Sequence, residues 1–277
     1  MSSTPEAGRL LGRYQLLYML GQGGMGEVHL AKLTGAAGFE KLCIVKMILP
    51  SMQSDPQFVD RFHHEARVLV QLNHSNIAQV YDMGEVDGSL YMAIEYVSGV
   101  DLSRVMSHIS QRGAVMPVPI ALYLCQQVAE ALGYAHRKTG PDGTPLGIVH
   151  RDVSPQNVMV SYEGEIKVID FGLAKSSARA KQTLPATVMG KLGYMSPEQA
   201  LARSVDHRSD IFSAGIVLWE LLAGRSLYPG GTMAEMVAQM ANSSIPPLRP
   251  VRPEISPTLE QTVMRALAKD PSARFTR

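Results

Sequence analysis

His150-Arg-Asp-Val-Ser-Pro-Gln-Asn157, followed by Asp170-Phe-Gly172, is the stretch on which the reading of this chain turns. Asp152 sits in a polar, turn-rich segment. Asn157 leads into a strand-like run, Val158-Met-Val160, and a second run, Ile166-Lys-Val-Ile169, delivers Asp170 to the tip of a hairpin. Two carboxylates and an amide on loop positions flanking short strands suit the holding of magnesium-bound phosphates beside a hydroxyl nucleophile. Magnesium takes hard oxygen ligands and is usually held by one or two carboxylates plus substrate phosphates.

Outward from that stretch, the N-terminal part reads as strands. Tyr14, Leu16, Tyr18 and Leu20 alternate and run into Gly21, Gly23, Gly26 and Val28, in the spacing G-x-G-x-x-G-x-V. Glycines at this spacing let backbone N–H groups approach phosphate oxygens. The same spacing opens dinucleotide-binding folds, but there a helix follows and an acidic residue stands about 20 positions on. Here strand character continues, and Lys46 occupies that place on the apolar run Cys43-Ile-Val-Lys46. Pro56 to Leu72 has helical spacing, with Phe58, Phe62, Leu69 and Leu72 on one face and Glu65 beside them. Strands are expected at 77–83 and Leu90–Tyr96, and long helices at Pro119–Arg137 and after Asp206. The latter, Ile211 to Ala223, is apolar nearly all round, so it is buried.

Composition sets wide bounds. The 277 residues are 45% apolar and 18% charged, as in soluble globular proteins, and allow one large domain or two lobes. A net charge of +1 directs the chain to neither nucleic acid nor membrane. Cys43 and Cys125 lie in apolar runs and read as free thiols of a reducing, cytoplasmic compartment; any membrane anchor lies outside these residues. No apolar run reaches the ~18 residues of a membrane span.

Taken in order, these motifs resemble the eukaryotic-like (Hanks-type) serine/threonine protein kinase catalytic domain. The Gly-Gly-Met-Gly and Val-Ser-Pro-Gln-Asn wording is similar to bacterial members, including the myxobacterial type. The resemblance implies an α+β, bilobal fold: a tail over 1–12, a β-rich N-lobe over 13–97 with one key helix, and a mainly helical C-lobe over 98–277 whose last helix is cut short. It implies that Mg²⁺-ATP, with Mn²⁺ as a substitute ion, meets the Gly21, Gly23, Gly26 loop, Val28, Ile44, Lys46, the backbone of Glu95 and Val97, Asp101 at the ribose and Met159 below the base. Lys46 pairs with Glu65, Asn157 and Asp170 hold the metal, and Asp152 accepts the proton of the substrate hydroxyl. Asp210 braces the His150–Asp152 turn. Glu198, of Ser196-Pro-Glu198, pairs with Arg274. Thr183, Thr187, Ser176 and Ser177 are activation-loop phosphosites, with Arg151 the cation awaiting the phosphate. The partners implied are protein substrates, with dimerisation as a route to trans-autophosphorylation.

The chain departs from the family pattern in three places. Ser154 stands where serine/threonine kinases carry a lysine, and Gly190-Lys191 replaces their Gly-Thr pair. The two positions are neighbours in the family, so Lys191 is expected to fill the space left at Ser154. Ile44 replaces an alanine and narrows the roof over adenine. These departures also support an alternative, a nucleotide-sensing pseudokinase scaffold. A further oddity is the turn-rich insertion Gly140-Pro-Asp-Gly-Thr-Pro145, expected as a surface hairpin.

Overall fold

The structure, a computed structural model, describes residues 8–23, 26–35, 38–171, 192–230, 232–242 and 244–276. Its contacts divide into two compact units, one ending at Val97 and the other beginning at Ser98.

Alternation of apolar side chains makes the first unit a sheet. Its strands are β1 (Leu10–Leu11), β2 (Tyr14–Gly23), β3 (Gly26–Thr34), β4 (Glu40–Ile48), β5 (Val80–Val86) and β6 (Ser89–Glu95). They pair antiparallel in the order β1-β2-β3-β4-β6-β5. Tyr14, Leu16, Ala31, Cys43, Val45, Met47, Tyr91 and Ala93 form one buried cluster. Successive side chains on a strand point to opposite faces, so Ile44 and Lys46 point away from that cluster. Register carries this across the sheet: Val28 and Met92 lie opposite Lys46, and Leu30 and Ile94 opposite Ile44. Gly26 is required by packing, since a Cβ there would stand 1.8 Å from the Met47 carbonyl oxygen.

Two helices, α1 (Pro50–Gln53) and α2 (Pro56–Leu69), follow β4. Asp55 caps α2 by accepting from the Gln57 N–H, and Pro56 holds the first helical position. Its buried residues are Phe58, Phe62, Ala66 and Leu69. The helix stops short of the expected Leu72, although Leu72 is itself buried. The tail expected over 1–12 is corrected at its end: Leu10–Leu11 pair with β2, and Leu11 is buried in the cluster.

The second unit carries a three-stranded sheet of β7 (Gly99–Asp101), β8 (Val158–Ser161) and β9 (Ile166–Val168). Its helices are α3 (Leu102–Gln111), α4 (Val118–His136), α5 (Pro197–Ala200), α6 (His207–Ala223), α7 (Met233–Asn242) and α8 (Pro257–Ala266). As its composition requires, α6 is buried along its length, with Trp219 fully enclosed and its Nε1 donating to the Pro246 carbonyl. Both α4 and α8 pack on α6. Gly215 allows the second contact, since a Cβ there would lie 3.1 Å from Ala266 Cβ. Ser256 caps α8 with Pro257 at its first position. The insertion folds as a small hairpin bridged at Thr139 and Pro145, its turn held by Asp142 accepting from the Thr144 N–H and hydroxyl. Among the described residues no helix is long and apolar enough to cross a membrane.

Two glycines of one motif should behave oppositely. Gly26→Ala should cost about 1–3 kcal/mol, the usual range for overpacking. Gly21→Ala, with nothing within 4 Å of the added Cβ, should stay within about 0.5 kcal/mol of the parent. Urea denaturation of both variants checks this.

Candidate active site

In the sheet unit, register gathers Val28, Ile44 and Lys46 on the face opposite the buried cluster. Both Ile44 and Lys46 are half-buried. Gly21 and Gly23, unlike Gly26, have open space where a Cβ would stand, so their backbone N–H groups can be approached closely. Glu65 lies on α2, half-buried and one turn from both Phe62 and Leu69. At the end of β6, Glu95 is tied to Gln79: its N–H donates to the Gln79 carbonyl at 2.8 Å, and its carboxylate accepts the Gln79 N–H at 3.0 Å. Val97 is buried.

In the helical unit everything converges on one carboxylate. Asp210, in the first turn of α6, is 1% exposed. Its Oδ2 accepts the His150 N–H at 2.8 Å and pairs with His136 Nε2 at 2.8 Å, while Oδ1 accepts the Arg151 N–H at 2.8 Å. A buried charge is tolerable only when hydrogen-bonded in this way. The grip holds Arg151 in a left-handed conformation with φ of 64°, a state costly for any residue with a Cβ and kept only where neighbours impose it. The Arg151 carbonyl in turn accepts from Gln199 Nε2 at 3.0 Å, so the peptide groups before Asp152 are clamped on both sides.

Asp152 follows that clamp. Its N–H donates to His150 Nδ1 at 3.2 Å, and His150 Nε2 lies 3.0 Å from the Ile169 carbonyl, which assigns the Nε2–H tautomer. Asn157 closes the loop by donating Nδ2–H to both the Asp152 carbonyl and its Oδ2, each at 2.7 Å. An amide so engaged presents its carbonyl oxygen as a hard ligand. The antiparallel pair β8–β9 then sets Asn157 beside Ile169, whose N–H donates to the Asn157 carbonyl at 2.9 Å, and Asp170 is the next residue. Asp170 therefore lies past β9, at the end of the hairpin away from its 162–165 turn, and not at the tip expected from sequence. Its φ is 58°, a left-handed state that aspartate tolerates better than most residues. An amide oxygen and a carboxylate brought to one end of a strand pair fit the oxygen set that Mg²⁺ prefers.

Other expected site residues have placements of their own. Asp101 caps α3, accepting the Arg104 N–H at 3.1 Å, bonding the Ser103 hydroxyl and pairing with Arg104 Nε. Met159 lies opposite Asp101 in the β7–β8 register. Ser154 is 1% exposed, and its Oγ meets no hydrogen-bond partner among the described residues; neither does Arg151 Nε. Lys191, Thr183, Thr187, Ser176 and Ser177 lie outside the described residues.

Behind the His150–Asn157 loop, Arg274 reaches Glu198 through two bonds of 2.7 and 2.9 Å, and the Ser209 hydroxyl donates to the same carboxylate at 2.5 Å. Its remaining donors go to the carbonyls of Ala268, Arg208 and Lys269. Burial alone would push the Glu198 carboxyl up; the bonds from Arg274 and Ser209 outweigh it and hold the group below its ordinary range. Ser196 opens α5 with a capping box in which Gln199 is the reciprocal partner.

The profile of the protein kinase domain matches residues 14–277. The chain belongs to the protein kinase family. Relatives are similar along nearly its whole length. Tyrosine-protein kinase MasK of Myxococcus xanthus is 37% identical, with 95% of this chain and 41% of the relative covered. Serine/threonine-protein kinase PrkC of Bacillus subtilis is 34% identical over 96% of this chain and 39% of its own length. The chain thus spans about two fifths of the curated relatives it matches. Among solved structures, the PknI kinase domain of Mycobacterium tuberculosis superposes with a TM-score of 0.72 at 31% identity, covering 98% of this chain and 93% of that one. The six-stranded sheet unit and the helical unit are those of the α+β protein kinase fold.

Within this kinase domain, sequence reasoning missed His136, Gln199 and the pair in which the Tyr194 hydroxyl donates to Glu220 Oε2 at 2.6 Å. The Ser196-x-x-Gln199 spacing does signal a capping box, but nothing in it points to Arg151, 48 residues away. His136 is an ordinary last-turn histidine by sequence.

Removing Arg274 should leave the buried Glu198 carboxylate without its cation, and with the Ser209 hydroxyl as its remaining side-chain donor among the described residues. Arg274→Met should therefore cost about 3–5 kcal/mol, measured by chemical denaturation at neutral pH. The pair's pH dependence has a definite sign. A carboxyl held low in the folded state stabilises above its unfolded value and loses that contribution as pH falls through the lowered value. The acid side of the stability–pH curve should thus be shallower in Arg274→Met than in the parent.

Proposed function

We propose that this chain is the ATP-dependent catalytic domain of a bacterial serine/threonine protein kinase, transferring the γ-phosphoryl group of ATP to hydroxyls of protein substrates. The observation that carries the reading is Asp152 in the turn braced by Asp210, with Asn157 Nδ2 fixing one of its carboxylate oxygens at 2.7 Å. Supporting it are the match to the protein kinase domain and the serine/threonine kinase names of relatives.

Each unit contributes separately. In the sheet unit, the N–H groups around Gly21 and Gly23 and the ammonium of Lys46 bind ATP phosphates, with Glu65 orienting Lys46. Gly26, Val28, Ile44 and the backbone of Glu95 and Val97 shape the nucleotide's place. In the helical unit, Asn157 and Asp170 hold Mg²⁺, or Mn²⁺ in its stead. When bound, the ion neutralises phosphate charge. Asp152 orients the substrate hydroxyl and takes its proton as that oxygen bonds to phosphorus. The bond from phosphorus to the bridging oxygen breaks, and ADP leaves with the electron pair. Asp101 and Met159 serve the ribose and base. Once a phosphate sits on Thr183 or Thr187, with Ser176 and Ser177 as further acceptors, Arg151 pairs with it. Such marking between two copies is a role for dimerisation. The reduced thiols Cys43 and Cys125 agree with a cytoplasmic setting.

No observation favours a scaffold without activity: Lys46, Glu65, Asp152, Asn157 and Asp170 are all present. Tyrosine as acceptor is a second reading with two observations behind it, the name of the Myxococcus xanthus relative and Ser154 in place of the usual lysine. Phosphoamino-acid analysis of autophosphorylated protein separates the two; phosphoserine and phosphothreonine without phosphotyrosine are expected.

Asp152→Ala should lower phosphoryl transfer to a generic basic protein by about 10²–10⁴-fold while equilibrium ATP binding is retained. A variant that transfers at the parental rate would remove Asp152 from its role. Ser154 stands where the family carries a lysine; with Lys191 supplying that cation instead, Lys191→Met should slow transfer without lowering the melting temperature.

A further inference from the structure

Resting on the kinase reading above, we propose that Gln199 is a positioning residue for phosphoryl transfer: its amide holds the peptide group that carries Asp152 in the orientation turnover requires. A peptide group is a rigid plane with a donor on one edge and an acceptor on the other. The plane joining Arg151 to Asp152 is gripped at both edges by side chains. On one edge the Asp152 N–H donates to His150 Nδ1 at 3.2 Å. On the other the Arg151 carbonyl accepts from Gln199 Nε2 at 3.0 Å. The first bond lies at the long end of the hydrogen-bond range, so the second supplies much of the restraint. Without it ψ of Arg151 and φ of Asp152 are loosened, and both set where the Asp152 carboxylate points. Arg151 already stands in the costly left-handed region at φ of 64°, so a loosened turn has easier backbone states to enter.

The network also fixes which way the Gln199 amide faces. Its Oε1 accepts from the Ser196 N–H at 3.0 Å and from the Ser196 hydroxyl at 3.2 Å, while Nε2 meets a carbonyl. Turning the amide over would set its nitrogen against the Ser196 N–H and its oxygen against the Arg151 oxygen. One side chain therefore does two separable things. The oxygen closes the capping box of α5, and the nitrogen restrains a turn 48 residues away. The base it works from is firm. Glu198, its neighbour, is tied to Arg274 and Ser209, and the Ser213 hydroxyl donates to the Tyr194 carbonyl at 2.7 Å. A capping box accepts glutamate as readily as glutamine at this position, but an ionised glutamate offers no donor. Glutamine is the residue that satisfies the cap and the Arg151 carbonyl together.

The test compares Gln199→Glu and Gln199→Met with the parent, each as the 277-residue chain with Mg²⁺-ATP and a generic basic protein as acceptor. Glutamate keeps the capping oxygen and loses the donor; methionine, similar in length, loses both. Gln199→Glu should lower kcat about 10- to 100-fold, the scale of a displacement near 1 Å at a reacting group. Its KM values and melting temperature should stay at the parent's, the pattern of an interaction that serves the transition state alone. Gln199→Met should lose kcat to the same degree and also melt lower, because the cap has gone. A parental kcat in Gln199→Glu would overturn the proposal. So would a loss that falls on KM for ATP instead of kcat. A Gln199→Glu protein that melts as low as Gln199→Met would overturn it too, for the residue would then only hold α5 together. A parent that binds ATP yet transfers no phosphate to protein would instead overturn the kinase reading itself.

Discussion

A carboxylate buried at the start of α6 is the interaction on which the helical unit depends. Asp210 is unaffordable as an isolated charge and stable only with all three of its donors in place, two backbone N–H groups and His136 Nε2. Meeting that demand fixes His150 and Arg151, forces Arg151 into a left-handed backbone state, and aims Asp152. The constraint then spreads in both directions. Through the Arg151 carbonyl it reaches Gln199 and the capped turn α5, and from α5 it reaches Glu198 and Arg274. Through His150 Nε2 and the Ile169 carbonyl it reaches the residue before Asp170. The His150–Asn157 loop, the loop at Asp170 and the Ser-Pro-Glu turn are thus one hydrogen-bonded body seated on a largely buried helix.

The sheet unit works by a simpler rule. Strand alternation gives each residue of β4 to one face or the other, so Cys43, Val45 and Met47 build the core while Ile44 and Lys46 serve the opposite surface. The glycines of the adjoining turn divide in the same spirit. Gly26 is glycine because the Met47 carbonyl lies where its Cβ would be, whereas Gly21 and Gly23 keep open space above the backbone. One motif therefore contains a packing glycine and two approach glycines, a distinction that spacing does not reveal.

Much of this was legible in the chain. The apolar all-round pattern at Ile211–Ala223 requires burial wherever it lies, the alternation from Tyr14 requires a strand, and Ser256-Pro257 marks a helix start by local backbone chemistry alone. The errors fell at ends and tips. Leu10 and Leu11 read as tail because two residues are too few for a period, yet pairing with β2 makes them strand. Asp170 read as a hairpin tip because strand direction is invisible in a short apolar run, and it lies at the opposite end.

What the sequence by itself determined is the list of chemical groups and the local elements that carry them: which strand bears Lys46, which helix bears Glu65, and which loop bears Asp152 and Asn157. Those follow from short-range periodicity and from the backbone limits of glycine and proline. Only the tertiary structure decided which groups meet. His136 and Asp210 are 74 residues apart, Gln199 and Arg151 48, and Glu198 and Arg274 76. Such pairs are chosen because every buried donor and acceptor must find a partner once the helices have packed, and that condition is written in three dimensions rather than along the chain.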